Sequence, residues 1–458
     1  MFNKFLFILA HQVGEKRFYP TYKKIIRTQW KSYDELKKDQ EKQLRHMINF
    51  AYQNVPYYHK VFNELKLSPD DINKIEDLRK LPILNKEIIK QNWEDFKPVN
   101  LSKISYYNNS TGGSTGTPLK YRLSKYDRFF NGALLYRGWG YGGYELGDKM
   151  VFLAGSSLDV GTKTSIFTKA HEITRNLKKL SSFDMDSNDT LKYVDIMNSF
   201  QPKFLRGYAT SIDMLSKYIE VNDLEIHRPS AIFTASEKLH PHVRKNIENA
   251  FDCDVYDNYG LNDGGVSAFE CEEHTGLHID TERSIMEIID ESGLQIENGI
   301  GNIVATSLHN YAMPFIRYDT GDMGELVEDV CTCGRGSKLL NEIIGRSTDI
   351  LLTPEGKSVH GWFFLYILWE YCTGIKEYQV VQHKINEIVI KIVKEEEFDE
   401  KQLDKIREII REKSEGWNVK FEFVDKINRT KAGKYKFIIN NVGEGENEQL
   451  YNGNTSKK

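Results

Sequence analysis

The chain has 458 residues, of which 40% are hydrophobic and 28% charged; this composition is typical of a globular protein and excludes a disordered or collagen-like chain. At roughly 100–200 residues per domain, the length corresponds to about two to four domains. The formal net charge of −4 gives no support for the basic face that a nucleic-acid-binding protein needs. Five cysteines are too few for a disulfide framework, so we expect a reducing compartment and a cytoplasmic protein.

Two short apolar stretches, residues 5–10 and 362–369, are the strongest candidates for membrane contact. Both are too short to span a bilayer, and the first is too short for a signal peptide. We interpret them as faces of buried helices and expect no transmembrane segment.

The predicted secondary structure changes from mainly helical to alternating strands and helices near residue 100. Residues 1–100 show mainly helical spacing of apolar residues, and residues 101–348 alternate short apolar strands with amphipathic helices. Such alternation favours an α/β domain with largely parallel strands. The strands of this domain are predicted at residues 150–154, 204–206 and 231–235, with a more antiparallel section at residues 284–290 and 302–307.

A smaller α+β domain is predicted over residues 349–440. Its strands are expected at residues 377–381, 387–393 and 419–424, and its charged helix at residues 400–413. The final residues, 441–458, consist mainly of Asn, Gly, Glu and Lys, and we expect them to form a disordered tail.

The strongest local motif is STGGSTGTP at residues 110–118, followed by a predicted strand at residues 119–123. Glycines allow the backbone to approach an anion closely, and hydroxyl and N–H groups can then surround phosphate oxygens. The motif lacks the Gly-Lys-Ser/Thr of a Walker loop. A solvated Ser/Gly linker is the alternative, but a linker is not expected inside a domain.

Gly138, Gly140 and Gly143 match the pattern G-x-G-x-x-G. The preceding segment has helical spacing, whereas a dinucleotide-binding fingerprint must follow a strand. We therefore reject that interpretation and predict a glycine-rich helix exit.

Four further motifs could take part in nucleotide binding: DNYGLND at 257–263, RYDTGD at 317–322, GRSTD at 345–349 and RTKAGK at 429–434. An aromatic ring such as Tyr259 can lie against a base, Asp263 can hold a divalent cation, and Asp322 can accept hydrogen bonds from a ribose diol. Taken singly, each motif could be a turn or a surface ion pair.

Together and in this order, these motifs resemble those of the adenylate-forming superfamily, most closely its phenylacetate–CoA ligase branch with the CapK-type capsular-polysaccharide proteins. The resemblance covers nearly the whole chain before the tail. It implies a large adenylate-forming domain, with parallel sheets, helices and a β section, and a small mobile α+β C-terminal domain. It also implies ATP, Mg²⁺ and CoA as cofactors, and a carboxylic acid as substrate.

The resemblance implies a role for individual residues. Lys434, Asp263 and Thr111 would be catalytic, with Lys434 reaching the acyl carboxylate and the α-phosphate. Asp349 would be the hinge of the small domain. Residues implied to bind the nucleotide are Ser110, Thr111, Gly112, Gly113, Ser114, Thr115, Gly116, Ser236, Glu237, Asp257, Asn258, Tyr259, Gly260, Asp322, Arg346 and Asp349. One departure is Asp263, where the family usually has Glu, and the carboxylate is one methylene shorter.

Cys271, His278, Cys331 and Cys333 provide three thiolates and one imidazole, a set that suits a structural tetrahedral Zn²⁺ site. Similar positions recur in the phenylacetate–CoA ligase branch. His274 is a competing ligand, and reduced thiols without a metal are the alternative. Cys253 and Cys372 are predicted to be buried spare thiols.

The leading hypothesis is a ligase that activates an acid as an acyl-adenylate and then forms a CoA thioester. One alternative transfers the acyl or aminoacyl group to a carrier-protein thiol or a sugar amine. A non-catalytic nucleotide-binding scaffold is the alternative from another class. The resemblance is compatible with more than one class of carboxylic acid and with a homodimer.

Overall fold

The structure, a computed structural model, describes residues 2–111, 119–155, 166–182, 187–290, 292–346, 350–360, 362–429 and 435–442. It divides into two units, Met1–Ile343 and Ile344–Lys458, which we call the large unit and the small unit. Within the described residues, every helix is either too short or too polar to cross a membrane.

Helices dominate the first hundred residues of the large unit and then alternate with strands. Ser32 caps its longest helix: the Ser32 hydroxyl accepts from the Glu35 backbone, and the Glu35 carboxylate accepts from the Ser32 backbone. The helices are α1 Phe2–Gly14, α2 Phe18–Thr28, α3 Tyr33–Asn54, α4 Pro56–Glu64, α5 Lys86–Gln91, α6 Lys125–Tyr141, α7 Ile166–Arg175, α8 Ser187–Phe200, α9 Ala209–Val221 and α10 Pro241–Phe251; short 3₁₀ turns cover Pro69–Asp71, Ile75–Lys80 and Leu101–Lys103.

Among the described residues, the large unit has fourteen strands, including one that crosses the boundary at residue 343. They are β1 Tyr106–Ser110, β2 Lys120–Ser124, β3 Met150–Ala154, β4 Leu177–Ser181, β5 Phe204–Gly207, β6 Ala231–Ala235, β7 Val255–Gly260, β8 Ser267–Glu270, β9 Leu277–Ile279, β10 Ser284–Ile289, β11 Gln295–Ile296, β12 Gly299–Ser307, β13 Tyr318–Val327 and β14 Leu339–Arg346.

Twelve of these strands form one sheet in the order β11-β10-β12-β13-β14-β9-β8-β7-β6-β5-β3-β4. The five strands β4, β3, β5, β6 and β7 pair in parallel. The strand direction changes after β7, because β7 and β8 pair in antiparallel orientation. Strands β10 and β12 also pair with each other in antiparallel orientation. This arrangement confirms the predicted α/β class, and the predicted antiparallel section belongs to the same sheet as the parallel strands.

The small unit is an α+β fold with its own core. Its elements are β15 Ile350–Leu352, β16 Ser358–His360, α11 Trp362–Tyr371, β17 Ile375–Lys384, β18 Glu387–Lys394, α12 Gln402–Lys413, β19 Asn418–Phe423 and β20 Ile438–Asn440. Four strands pair in the order β19-β18-β17-β20, and helix α12 buries Ile406 and Ile410 in the core of the unit. Residues 443–458 of the predicted tail lie outside the described residues.

The glycine-rich helix exit lies where it was predicted. Helix α6 contains Gly138 and Gly140, ends at Tyr141 and is followed by Gly142 as its C-cap and by Gly143 with a φ of +87°. A Cβ atom at Gly138 would lie 2.2 Å from Cδ1 of Phe269, so glycine allows the β8 ring to approach the helix.

Candidate functional site

Ser110 and Thr111, the first two residues of the phosphate-loop motif, lie at the end of an antiparallel pair of strands. Strands β1 and β2 pair from Tyr106–Ser124 to Ser110–Lys120. Beyond the last pair, the Thr111 N–H donates to the Leu119 carbonyl at 2.9 Å, and the Leu119 N–H donates to Thr111 Oγ1 at 3.0 Å. Ser110 and Thr111 therefore form the base of the loop. The remaining predicted loop residues, Gly112, Gly113, Ser114, Thr115 and Gly116, lie outside the described residues.

Two neighbouring parallel strands end beside each other and carry the next predicted residues. Ala235 of β6 is paired with Asn258 of β7, so Ser236 follows β6 at the edge where Tyr259 and Gly260 end β7. Ser236 has a φ of +69°, a left-handed conformation that is strained for a residue with a Cβ atom. Ligands of open parallel sheets bind at this carboxyl edge.

Three residues of this edge have distinct environments. The Glu237 carboxylate accepts hydrogen bonds from the Thr210 backbone at 3.1 Å and hydroxyl at 2.7 Å, which ties it to the start of α9. The Asp257 carboxylate accepts from Thr234 Oγ1 at 2.6 Å. Asn258 Oδ1 is buried and has no hydrogen-bond partner among the described residues. A buried amide oxygen of this kind suits an N–H donor from a ligand, such as an adenine amino group.

Two tyrosine–carboxylate hydrogen bonds connect the end of β7 to β13. Tyr259 donates to Asp322 Oδ2 at 2.9 Å, and Tyr318 donates to Asp263 Oδ2 at 2.9 Å. Burial raises the pKa of both phenols, and the nearby carboxylates add to the effect, so the phenols remain donors at neutral pH. These two hydrogen bonds fix the positions of the two predicted carboxylates, Asp322 and Asp263.

Gly264 makes this close approach possible. A Cβ atom there would lie 2.7 Å from Cβ of Ala305 and 3.4 Å from the Tyr318 ring. Any larger residue would therefore push the turn that carries Asp263 away from the strand that carries Tyr318.

The predicted residues of the C-terminal motifs are only partly described. Strand β14 ends at Arg346, while Asp349 and Lys434 lie outside the described residues. The residues on either side of the Lys434 segment are anchored within the small unit. Arg429 donates to Glu377 at 2.8 Å, and the Tyr435 hydroxyl accepts from the Tyr378 backbone at 2.9 Å.

The four predicted metal-ligating residues come together in the large unit. One ligand atom from each of Cys271, His278, Cys331 and Cys333 lies within 4.8 Å of the others. The Cys271 and Cys331 sulfurs are 3.6 Å apart, and Cys333 Sγ lies 3.2 Å from His278 Nε2. Two thiolates on a tetrahedral Zn²⁺ with bonds of about 2.3 Å would be about 3.8 Å apart, so the spacing fits such an ion.

Hydrogen bonding and burial prepare the His278 imidazole as a ligand. Its Nδ1 lies 3.1 Å from the Ser337 hydroxyl, which orients the ring and leaves Nε2 facing Cys333. Burial lowers the pKa of His278 to about 4, with Arg335 and Arg137 adding to the effect, so the ring is neutral. The competing ligand, His274, instead lies 3.1 Å from Glu270 Oε1 and is outside the cluster.

Two further residues, Tyr318 and Arg283, support the site although the motifs did not single them out. Tyr318 lies within the RYDTGD motif, four residues before Asp322, just as Tyr259 lies four residues before Asp263. This shared four-residue spacing is the sequence signal that could have identified Tyr318. Arg283 is fully buried and donates to Asp127, to Asn131 and to the Leu261 carbonyl in the turn before Asp263. No local pattern marked Arg283, because its partners are far away in the sequence.

Comparisons with known proteins show which families and folds this chain is similar to. Residues 351–441 match the family model of the CapK C-terminal domain. The chain is 27% identical to CapK of Staphylococcus aureus over 441 residues, which cover 95% of each chain. It is 24% identical to a phenylacetate–coenzyme A ligase of Thermus thermophilus over 395 residues, 80% of this chain and 83% of the relative.

Solved structures show the same fold. A 2-hydroxyisobutyryl-CoA ligase in its postadenylation state, in complex with 2-HIB-AMP, superposes with a TM-score of 0.72 at 19% identity and covers 92% of both chains. The amide bond synthetase McbA from Marinactinospora thermotolerans gives a TM-score of 0.51 at 14% identity, covering 75% of this chain and 68% of that one. The chain is therefore a homologue of CapK and of the phenylacetate–CoA ligases, and it has the fold of the adenylate-forming ligases.

Proposed function

We propose that this protein uses ATP to activate a carboxylic acid as an acyl-adenylate, releases pyrophosphate, and then transfers the acyl group to CoA as a thioester. The observation that carries the proposal is the pair of hydrogen bonds from Tyr259 to Asp322 and from Tyr318 to Asp263. They hold one carboxylate suited to a ribose diol and one suited to a divalent cation at the carboxyl edge of the parallel strands.

The first step is the attack of a carboxylate oxygen on the α-phosphorus of ATP. The new O–P bond forms as the bond from that phosphorus to the β-phosphate oxygen breaks, and pyrophosphate leaves with the electron pair. In the proposal, Lys434 stabilises the negative charge that accumulates between the acid and the α-phosphate, while loop residues 110–116 hold the other phosphates. Mg²⁺ bound through Asp263 would neutralise phosphate charge.

In the second step, the CoA thiolate attacks the acyl carbon and AMP leaves. We propose that the small unit acts as a lid with Asp349 as its hinge, which withdraws Lys434 and admits CoA. The relatives named as CoA ligases support this acceptor. Asp263 is one methylene shorter than the usual Glu, and its hydrogen bond from Tyr318 holds the shorter side chain in place.

A second function is favoured by the CapK match over 95% of the chain and by the CapK C-terminal domain at residues 351–441. In this version, the same adenylate is formed but its acyl group passes to a carrier-protein thiol or a sugar amine. The first half-reaction is common to both versions, so only the acceptor separates them.

A panel of carboxylic acids in a pyrophosphate-release assay, with CoA present and absent, tests the proposal. We expect at least one acid to give release that depends on ATP, Mg²⁺ and the acid, and that CoA accelerates with consumption of its thiol. Release without thiol consumption would favour the second function. The absence of release with every acid, while ATP still binds, would favour a non-catalytic nucleotide-binding scaffold.

We also propose that Cys271, His278, Cys331 and Cys333 bind a structural Zn²⁺. All four ligands would be protein groups, which leaves no open position for substrate. Burial raises the pKa of the Cys271 thiol, and a bound dication would reverse that effect by stabilising the thiolate. The ion would tie the loop between β13 and β14 to strand β9.

The zinc proposal predicts about one zinc per chain in elemental analysis of the purified protein. Replacing Cys333 by serine is expected to lower the zinc content and to reduce Tm by about 5 °C, because metal binding contributes to folding stability. Cys253→Ser is the matched control, since Cys253 lies outside the cluster. Background zinc, with equal Tm values for the two variants, would contradict the proposal.

A further inference from the structure

Arg206 is a buried cation at the carboxyl edge of the parallel strands. It lies on β5 directly opposite Phe152 of β3 and Phe233 of β6, and its side chain is 6% exposed. The guanidinium carbon lies 4.8 Å from the centre of the Trp139 ring and 5.5 Å from that of Phe152. Aromatic faces stabilise a guanidinium but provide no hydrogen-bond acceptor for its N–H groups.

Most other buried arginines described in the large unit have carboxylate partners; the exception is Arg122, which lies over the Trp93 ring and has a buried Nη1 without a hydrogen-bond partner. Arg283 pairs with Asp127, Arg137 with Asp280 and Arg317 with Glu287. Within the described residues, Arg206 forms no salt bridge, and its Nε is buried without a hydrogen-bond partner. A buried charge without a partner destabilises a fold, so such groups are typical of binding sites in which a ligand supplies the counter-charge.

A second cation, Arg175, lies near Arg206, since both affect the pKa of the buried Tyr136 phenol. The Tyr136 hydroxyl lies 3.0 Å from His11 Nε2. His171 Nδ1 is buried without a partner among the described residues, and burial together with Arg175 lowers the pKa of His171 to about 3. Burial lowers the pKa of Arg206 to about 10, so the guanidinium still carries its charge at neutral pH.

Arg206 lies near the end of its strand, at the same edge of the sheet as the proposed adenylation site. One residue, Gly207, completes β5 after Arg206, and the neighbouring strand β6 leads into Ser236 at the same edge. Arg206 and the proposed nucleotide-binding residues therefore lie toward one end of the sheet. The rings of Trp139 and Phe233, stacked with centres 5.9 Å apart, provide an apolar wall beside it.

We propose that Arg206 binds a second carboxylate on the acid substrate, so that the preferred substrates are dicarboxylic acids with an apolar spacer. This inference rests on the proposed function, because one carboxylate must remain free for adenylation. The planar guanidinium matches a carboxylate in shape and charge, and the aromatic side chains contact the spacer.

Matched acids test the proposal in the pyrophosphate-release assay with the full chain. The panel comprises straight-chain dicarboxylates from malonate to suberate, each with the monocarboxylate of equal length, and 4-carboxyphenylacetate with phenylacetate. In the wild type, kcat/KM is expected to be at least about 100-fold higher for the best dicarboxylate than for its matched monocarboxylate, because a site built around a buried charge rejects a ligand that leaves it unpaired.

Arg206→Met is expected to remove this preference, and Arg206→Lys is expected to retain part of it. Arg228→Met, at an exposed arginine, is the matched control and should keep the wild-type preference. A wild type without preference for any dicarboxylate, or an Arg206→Met variant with the wild-type preference, would overturn the proposal.

A binding measurement separates this proposal from the proposed function. The same acids are added to the wild type and to Arg206→Met, and the shift in Tm is measured. If no acid releases pyrophosphate, the proposed function fails, but stabilisation by a dicarboxylate in the wild type alone would still support Arg206 as its ligand. Equal shifts in the two proteins would contradict the role of Arg206. Equal Tm values without acid would show that the variant is folded.

Discussion

Replacing Lys434 by alanine is expected to slow acyl-adenylate formation by about 10³-fold, because one charge-stabilising donor at a reacting phosphorus typically contributes that much. Under the proposed function, the attack of the acid on ATP concentrates negative charge that only a cation brought to the α-phosphate can offset. Pyrophosphate release in a single turnover measures this step directly.

The same variant should keep two other properties. ATP binding is expected to be nearly unchanged, and so is thioester formation from CoA and a supplied acyl-adenylate, because Lys434 is proposed to act only in the first step. Lys431→Ala, in the same RTKAGK motif, is the matched control and should retain adenylation. Adenylation by Lys434→Ala within threefold of the wild-type rate would contradict the assignment.

Replacing Arg283 by methionine is expected to reduce the free energy of unfolding of the large unit by about 3–5 kcal/mol. Arg283 is completely buried and donates to Asp127 Oδ2 at 2.7 Å and to Asn131 Oδ1 at 2.9 Å. The substitution leaves the Asp127 carboxylate, itself 1% exposed, without its counter-charge. The midpoint of urea-induced unfolding, followed by tryptophan fluorescence, measures the loss.

A second substitution tests the cause of that loss. In the double variant Arg283→Met/Asp127→Leu, part of the stability should return, because the pair is then replaced by apolar groups rather than broken. Arg228→Met breaks the exposed pair with Asp252 and should cost less than about 1 kcal/mol. If Arg283→Met were no more destabilising than this control, the buried pair would not be a main support of the site.

Sequence motifs and hydrophobic periodicity predict several strands of the large unit and several residues of the candidate sites. Strands β3 and β6 lie at the residues predicted from their short apolar runs, because buried parallel strands carry a distinctive composition. Asp322 and Tyr259 belong to separate sequence motifs, each predicted to bind nucleotide, and a hydrogen bond joins them in the structure. The four metal-ligating candidates also come together, although their spacing alone left His274 as a competitor.

Other features depend on contacts that leave no local signal. Arg283 and Asp127 are 156 positions apart, and nothing near either residue identifies the partner. Gly138 lies within helix α6 where a Cβ atom would clash with the Phe269 ring of another element, and this close contact has no signal in the local sequence. Arg206 resembles any strand residue in the sequence, and its burial without a carboxylate partner becomes visible only in the structure.

The central claim is that the carboxylate of the acid attacks the α-phosphorus of ATP. Labelling both oxygens of a substrate acid with ¹⁸O and allowing complete conversion to the thioester tests it by mass spectrometry. We expect one ¹⁸O atom in the AMP product and none in pyrophosphate. Recovery of the label in inorganic phosphate, with ADP as the nucleotide product, would mean attack at the γ-phosphorus and would contradict the account.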